Sequence, residues 1–238
     1  MSTRRQSPAK PQNRLLSALP QEEYKRLLEK MEEVSVEQGQ RLIVAGEEIK
    51  DVYFPLNAMI SLVSSTEEGV SVETGIVGSD GVLGVAVIFG TTTTPMESVV
   101  QIPGRAMRMD AKAFKSEFDL GGVFSKVLLL YTHILVVEMS QTAACNRLHS
   151  IDGRLARWLL MGSDSIRSDE LPLTHEFLSM MLGVRRAGVT EASARLRKKG
   201  LIRYHHGRIT ILDRKGLEDF ACECYDVVKR EQSRLFPQ

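Results

Sequence analysis

The chain has 238 residues, 43% hydrophobic and 26% charged, the composition of a globular fold with room for two ordinary domains. Its net charge of +1 hides a separation: residues 171–215 carry ten Lys/Arg against Glu176, Glu191 and Asp213, whereas residues 14–170 carry 15 basic and 22 acidic side chains. A basic module joined to an acidic one is the footprint of a nucleic-acid binder. Three cysteines exclude a disulfide framework and fit a reducing compartment.

Residues 1–13 read as a disordered tail with no apolar core of a signal peptide, and the expected location is the cytoplasm. The longest apolar run, 127–137, is interrupted by Thr132 and His133 and falls short of the roughly 20 residues a bilayer span needs. Between 14 and 33, apolar positions 15, 16, 19, 24, 27, 28 and 31 follow a helical period with a break at Pro20. From 34 to about 110 the pattern changes to short β-branched stretches at 41–44, 52–54, 58–63, 70–76 and 97–102. Turn signals such as Gly46-Glu47, Pro55-Leu56-Asn57 and Gly78-Ser79-Asp80-Gly81 separate them. Many short strands mean a sandwich or barrel.

A long helix is expected over 122–146. Val123, Val127, Leu130, Ile134 and Val137 form a heptad seam, with Phe124, Leu128, Tyr131 and Leu135 beside it. One stripe suffices to pack on the chain's own barrel; a second implies either a second copy of the helix, over residues 123–142, or burial between two domains. Asp152-Gly153 suits a hinge turn, followed by a helix from 154 to about 168 that buries Leu155, Trp158, Leu159 and Met161.

Residues 174–191 have the pattern of a helix-turn-helix. Leu178, Leu182, Val184 and Val189 lock two short helices, and Gly183 permits the positive φ of the turn between them. The second helix then presents Arg185, Arg186, Thr190 and Glu191 to solvent, where they can meet base edges or phosphates. Thr174 opens the motif, and Arg195 with Arg197, Lys198 and Lys199 reads as phosphate contact or a solvated helix end. Residues 200–212 alternate around His206-Gly207 as a hairpin, a wing whose tip residues His205, His206 and Arg208 can touch backbone. Helix is expected over 214–230.

Taken jointly, several landmarks resemble the Crp/Fnr family of bacterial transcription regulators. They are Gly39 with Gly46-Glu47, the 53–62 stretch, Gly78/Gly81/Gly84, Asp152-Gly153-Arg154, Leu173-Thr174 with Leu182-Gly183-Val184, and Gly200-Leu201-Ile202. The resemblance implies an α+β fold: a sensory β-roll, a long dimerisation helix and a winged helix-turn-helix. It places the roll at 14–121, the dimer helix and hinge at 122–150 and the DNA-binding domain at 151–238. It implies a regulator, not an enzyme, acting as a homodimer on a palindromic operator, with duplex DNA, a second copy and RNA polymerase as partners. The alternative is a small-ligand module whose winged helix contacts protein. Arg186 falls on the family's base-reading Arg, while Ala187 and Glu191 depart from its pattern, so a different operator half-site is expected.

Other departures concern the effector. Family members that bind cyclic nucleotides clamp the phosphate with an Arg-Ser pair. Here no Arg or Lys occurs from Asp51 to Gln101, and a buried phosphate without a cation costs several kcal/mol or more. A cyclic nucleotide is therefore not expected. Gly78, Asp80, Gly81, Gly84, Glu97 and Ser98 remain as candidates to cradle another small molecule. Residues 1–144 contain no Cys, which excludes the family's N-terminal iron–sulfur cluster. His133 and Cys145 are conceivable haem ligands, but each reads better as an ordinary packing residue. Cys222 and Cys224 with His205-His206 do not have zinc-finger spacing, Cys145 with His149 lacks an orienting acid, and the glycine loop lacks the Lys of a P-loop. No metal ligand, catalytic residue or defined cofactor is assigned.

Overall fold

The computed structural model describes residues 12–69 and 71–236. Residues 1–11 of the expected tail, and Val70 at the start of an expected strand, lie outside them. Asn13 is not tail: it is fully buried, caps α1 (Arg14–Ser17) through the Leu15 and Leu16 amides, and donates to the Pro55 and Gly81 carbonyls. After Pro20 comes α2 (Gln21–Leu28).

Seven strands follow: β1 (Met31–Val36), β2 (Arg41–Ile43), β3 (Asp51–Pro55), β4 (Met59–Ser65), β5 (Ser71–Val77), β6 (Glu97–Ile102) and β7 (Gly104–Asp110). They form two antiparallel sheets, ordered β1-β7-β3 and β2-β6-β4-β5. Val52, Phe54, Ile60, Val100 and Met109 are buried in the roll's core, as period-2 patterning requires. A short 3-10 turn, Val85–Phe89, bridges β5 and β6. Asp110 caps α3 (Ala111–Asp119) by accepting from the Ala113 amide. Phe54, Phe114 and Phe124 stack edge to face at 6.1 and 5.7 Å, joining the roll through α3 to the next helix.

That helix, α4 (Gly122–Leu148), is long and apolar enough by composition to cross a membrane. Its apolar residues are used otherwise. Phe124, Val127, Leu128, Tyr131, Ile134 and Leu135 belong to the roll's own core, which takes all of the second expected stripe and part of the first. The C-terminal helix of the same chain also packs along α4, so two stripes do not by themselves require a second subunit. What remains open is a third line: Leu129 and Val136, seven apart, are 52% and 58% exposed, and Ala143 continues the spacing.

The expected hinge turn at Asp152-Gly153 lies instead inside the first turn of α5 (Ile151–Ile166). The chain breaks at His149 and Ser150, both extended, because the Ser150 hydroxyl caps α5 through the Gly153 amide. Then come β8 (Glu170–Leu171), α6 (His175–Met181), α7 (Arg186–Lys198), β9 (Ile202–His205) and β10 (Arg208–Ile211). The wing is a three-stranded sheet, β8-β10-β9, with His206 and Gly207 at positive φ (46° and 74°), as a two-residue hairpin demands. The expected single helix after 214 is two, α8 (Arg214–Phe220) and α9 (Cys224–Leu235), because Ala221 turns extended. Helix α9 returns to the roll, where Phe236 is buried and Gln232 donates to Asp80 at 2.9 Å.

Candidate nucleic-acid interface, cavity and hinge

The second helix of the motif is amphipathic in the needed sense. Val189, Ala192, Ser193 and Leu196 are buried, while Arg185, Arg186, Thr190 and Glu191 are exposed. Gly183, at φ +61°, makes the turn between α6 and α7. Thr174 caps α6, its hydroxyl accepting from the Phe177 amide at 3.2 Å. Arg186 meets Glu176 only loosely, at 3.5 Å with both side chains mostly exposed, so its guanidinium is free to turn outward. Thr190 is backed by a group not singled out from the sequence. His175 stacks on Tyr204 (centroids 4.2 Å apart, 19° between planes) and places Nδ1 3.2 Å from the Thr190 hydroxyl. Burial, with Arg186 and Arg197 nearby, lowers the His175 pKa and so favours the neutral ring.

Arg195 is placed differently from the expectation. Its Nε and Nη2 both donate to Asp152 at 2.6 Å, and Glu191 stands 3.7 Å away. It is a strut from α7 to the first turn of α5, with its fork already engaged. His206 sits at the wing tip, its Nδ1 2.6 Å from His205 Nε2.

The six candidate effector residues separate into two groups. Gly84, Glu97 and Ser98 line a cavity of about 70 Å³ inside the roll, walled by Ile43, Leu62, Val82, Leu135 and Met139. Its polar groups are already engaged: Ser98 Oγ accepts from the Ile43 amide at 2.8 Å, and Glu97 pairs with Arg41 at 3.0 Å. No Arg or Lys lines it among the described residues. Gly78, Asp80 and Gly81 lie elsewhere. A Cβ on Gly78 would stand 2.4 Å from Ser165 of α5, and one on Gly81 would stand 2.4 Å from the Tyr131 hydroxyl of α4. These glycines serve close approach between roll and helices. Burial raises the pKa of Asp80, which lies between Gln232 and Arg14.

Two further carboxylates, unnoticed in the sequence, join the roll to the helices. Glu73 of β5 accepts from Trp158 Nε1 of α5 at 2.7 Å and from the Ser61 hydroxyl of β4. Glu138 of α4 accepts from the Ile76 amide at 2.8 Å. Both are buried, which lifts their pKa values to about 7 and about 8, against the opposing pull of Arg157.

At the break between α4 and α5 lies a cluster that sequence spacing does not disclose. Cys222 and Cys224 do not meet His205-His206, which stay at the wing. Instead Cys145, His149, Cys222 and Cys224 gather with their ligand atoms all within 4.8 Å of one another.

Residues 33–119 match the family model of the cyclic nucleotide-binding domain, and residues 153–220 match that of the Crp-like helix-turn-helix domain. The chain belongs to the Crp/Fnr family of transcription regulators. Its C-terminal domain is thus the DNA-binding domain of a Crp/Fnr regulator. Solved structures of this architecture include FixK2 from Bradyrhizobium japonicum (TM-score 0.68, 13% identity, covering 81% of this chain and 98% of that one). Another is the c-di-GMP responsive global regulator CLP of Xanthomonas campestris (0.65, 12% identity, 82% and 100%). A third is a Crp/Fnr-family transcriptional regulator of Thermus thermophilus (0.61, 22% identity, 80% and 98%). No curated protein sequence matches this chain.

Proposed function

We propose that this Crp/Fnr protein is a cytoplasmic homodimer that reads a palindromic operator with α7, acts on RNA polymerase there, and is controlled through its roll. The observation that carries the reading is the exposed face Arg185, Arg186, Thr190 and Glu191 on a helix whose opposite face is buried. Arg186 suits guanine O6 and N7, and Glu191 suits a cytosine amino group. Thr174, at the cap of α6, and His206, at the wing tip, are assigned to the backbone of the same site. The exposed Leu129–Val136 line of α4 supports pairing with a second copy. Such a pair sets its two α7 helices about one DNA turn, roughly 34 Å, apart.

Control of this kind needs two states that differ in affinity for a ligand or for DNA. The cavity that holds Gly84, Glu97 and Ser98 is apolar and far below the roughly 300 Å³ of ordinary ligand pockets. It supports a regulator that does not clamp a cyclic phosphate. Titration with cyclic AMP and cyclic GMP is expected to leave both the melting temperature and operator affinity unchanged.

Gel shifts of the intact protein in increasing salt test the DNA reading. Log affinity is expected to fall linearly with log salt, and Arg185→Ala to reduce the slope by about one. Salt-insensitive association, or none with any duplex, would contradict it.

A further inference from the structure

We propose that Cys145, His149, Cys222 and Cys224 form a zinc site that staples the end of α4 to the start of α9. Cys145 is the last buried residue of α4, and His149 is its C-cap. Cys222 lies in the link between α8 and α9, and Cys224 opens α9. Cys145 and Cys222 are 77 residues apart in sequence, yet their Sγ atoms are 3.4 Å apart, and Cys224 Sγ is 3.5 Å from His149 Nδ1. A tetrahedral zinc with bonds of about 2.3 Å to sulfur and about 2.0 Å to nitrogen spaces its ligands by about 3.5–3.8 Å. The cluster therefore needs adjustments of only a few tenths of an ångström along these two edges.

The surroundings fit the same chemistry. A zinc-bound imidazole normally donates its other ring N–H to a carboxylate, which fixes the ring. His149 Nε2 lies 3.2 Å from Glu223 Oε1, leaving Nδ1 aimed at the thiols. Three thiolates around one zinc leave a net negative charge, and the buried Arg154 and Arg157 stand on the adjoining face of α5. The start of α5 packs against the link as well: a Cβ on Gly153 would lie 3.4 Å from the Cys222 amide nitrogen. Three thiols and an imidazole form a soft donor set that selects zinc over magnesium or calcium. On binding, the thiol protons pass to solvent and zinc–sulfur bonds replace them.

The site lies where the chain breaks between α4 and α5. Zinc there would tie the long helix to the C-terminal domain across the break, so occupancy would fix the domain's angle. This second part rests on the DNA-binding reading; the metal site does not.

The test uses the full chain, purified under reducing conditions, stripped with chelator and titrated with cobalt(II) and then zinc. One cobalt per chain is expected, with thiolate-to-cobalt charge-transfer absorption and the intense visible bands of a tetrahedral centre, both abolished by one equivalent of zinc. Cys222→Ser, at a half-buried position, should weaken zinc affinity at least ten-fold, and Glu223→Gln by about ten-fold or more. Sub-stoichiometric cobalt, an octahedral spectrum, or unchanged affinity in Cys222→Ser would overturn the proposal, as would a Cys145–Cys222 disulfide in protein kept anaerobic. Because these readouts contain no DNA, failure of the operator reading would leave them untouched. A zinc-loaded chain whose operator affinity matches the stripped chain would overturn only the coupling.

Discussion

Arg186 is the first residue of α7, the helix proposed to enter DNA. The residue is exposed on the first turn of α7, and its ion pair with Glu176 is loose. Arg186→Ala should remove about 1–3 kcal/mol of base discrimination, seen as a flattened preference among operator variants, with dimerisation unchanged in sedimentation. Arg195, further along the same helix, should behave differently. Its engagement with Asp152 predicts that Asp152→Asn loosens α7 against α5, and hydrogen exchange in α7 should rise while Arg186→Ala leaves it unchanged. The helix-turn-helix was legible because its signals are local: a glycine at the turn, apolar spacing on one face and basic residues on the other. Arg195 was not, because an arginine's partner across two helices leaves no trace in spacing. The glycines at 78 and 81 misled for the same reason. A glycine marks a close approach without saying to what, and here Ser165 and Tyr131 are the neighbours.

Among the elements, α4 shows what periodicity can and cannot tell. The stripes at 123–137 and 124–135 are apolar as read, but the roll's core and α9 within the same chain cover much of them. The line still facing solvent is Leu129, Val136 and Ala143. Leu129→Glu with Val136→Glu should therefore yield a folded monomer by sedimentation and unchanged helical circular dichroism, whereas a persistent dimer would place the interface elsewhere. The break between α4 and α5 was legible to within a few residues, but at Gly153 instead of Ser150, because cap chemistry outranked the glycine. The cysteine and histidine cluster was out of reach: Cys145 and His149 meet Cys222 and Cys224 only because α9 folds back along α4.

For the whole molecule, the contact between roll and DNA-binding domain is buried and holds titratable groups. Glu73 is faced by Ser61, Trp158 and Arg157, and Glu138 by the Ile76 amide, Arg157, Asp80 and Glu73. Both carboxyls hold their protons more tightly folded, at about 7 and about 8, than at the ordinary value of 4.5. Between about pH 4.5 and 8 the folded state thus binds more protons, and stability should fall as pH rises, levelling above pH 8. Glu138→Gln keeps the bond from Ile76 without the charge. It should flatten that fall, retaining about 2–4 °C of Tm at pH 8.5 for each kcal/mol recovered. A wild-type Tm independent of pH across this window would remove these groups from the account.

Operator recognition of the kind proposed depends on paired α7 helices entering one face of duplex DNA. Selection of binding sites from random duplexes by the intact protein tests this most directly. The enriched sequence should be two-fold symmetric, with half-site centres about 10 base pairs apart. A library that emerges without an enriched sequence, or with unpaired half-sites of no fixed spacing, would contradict it.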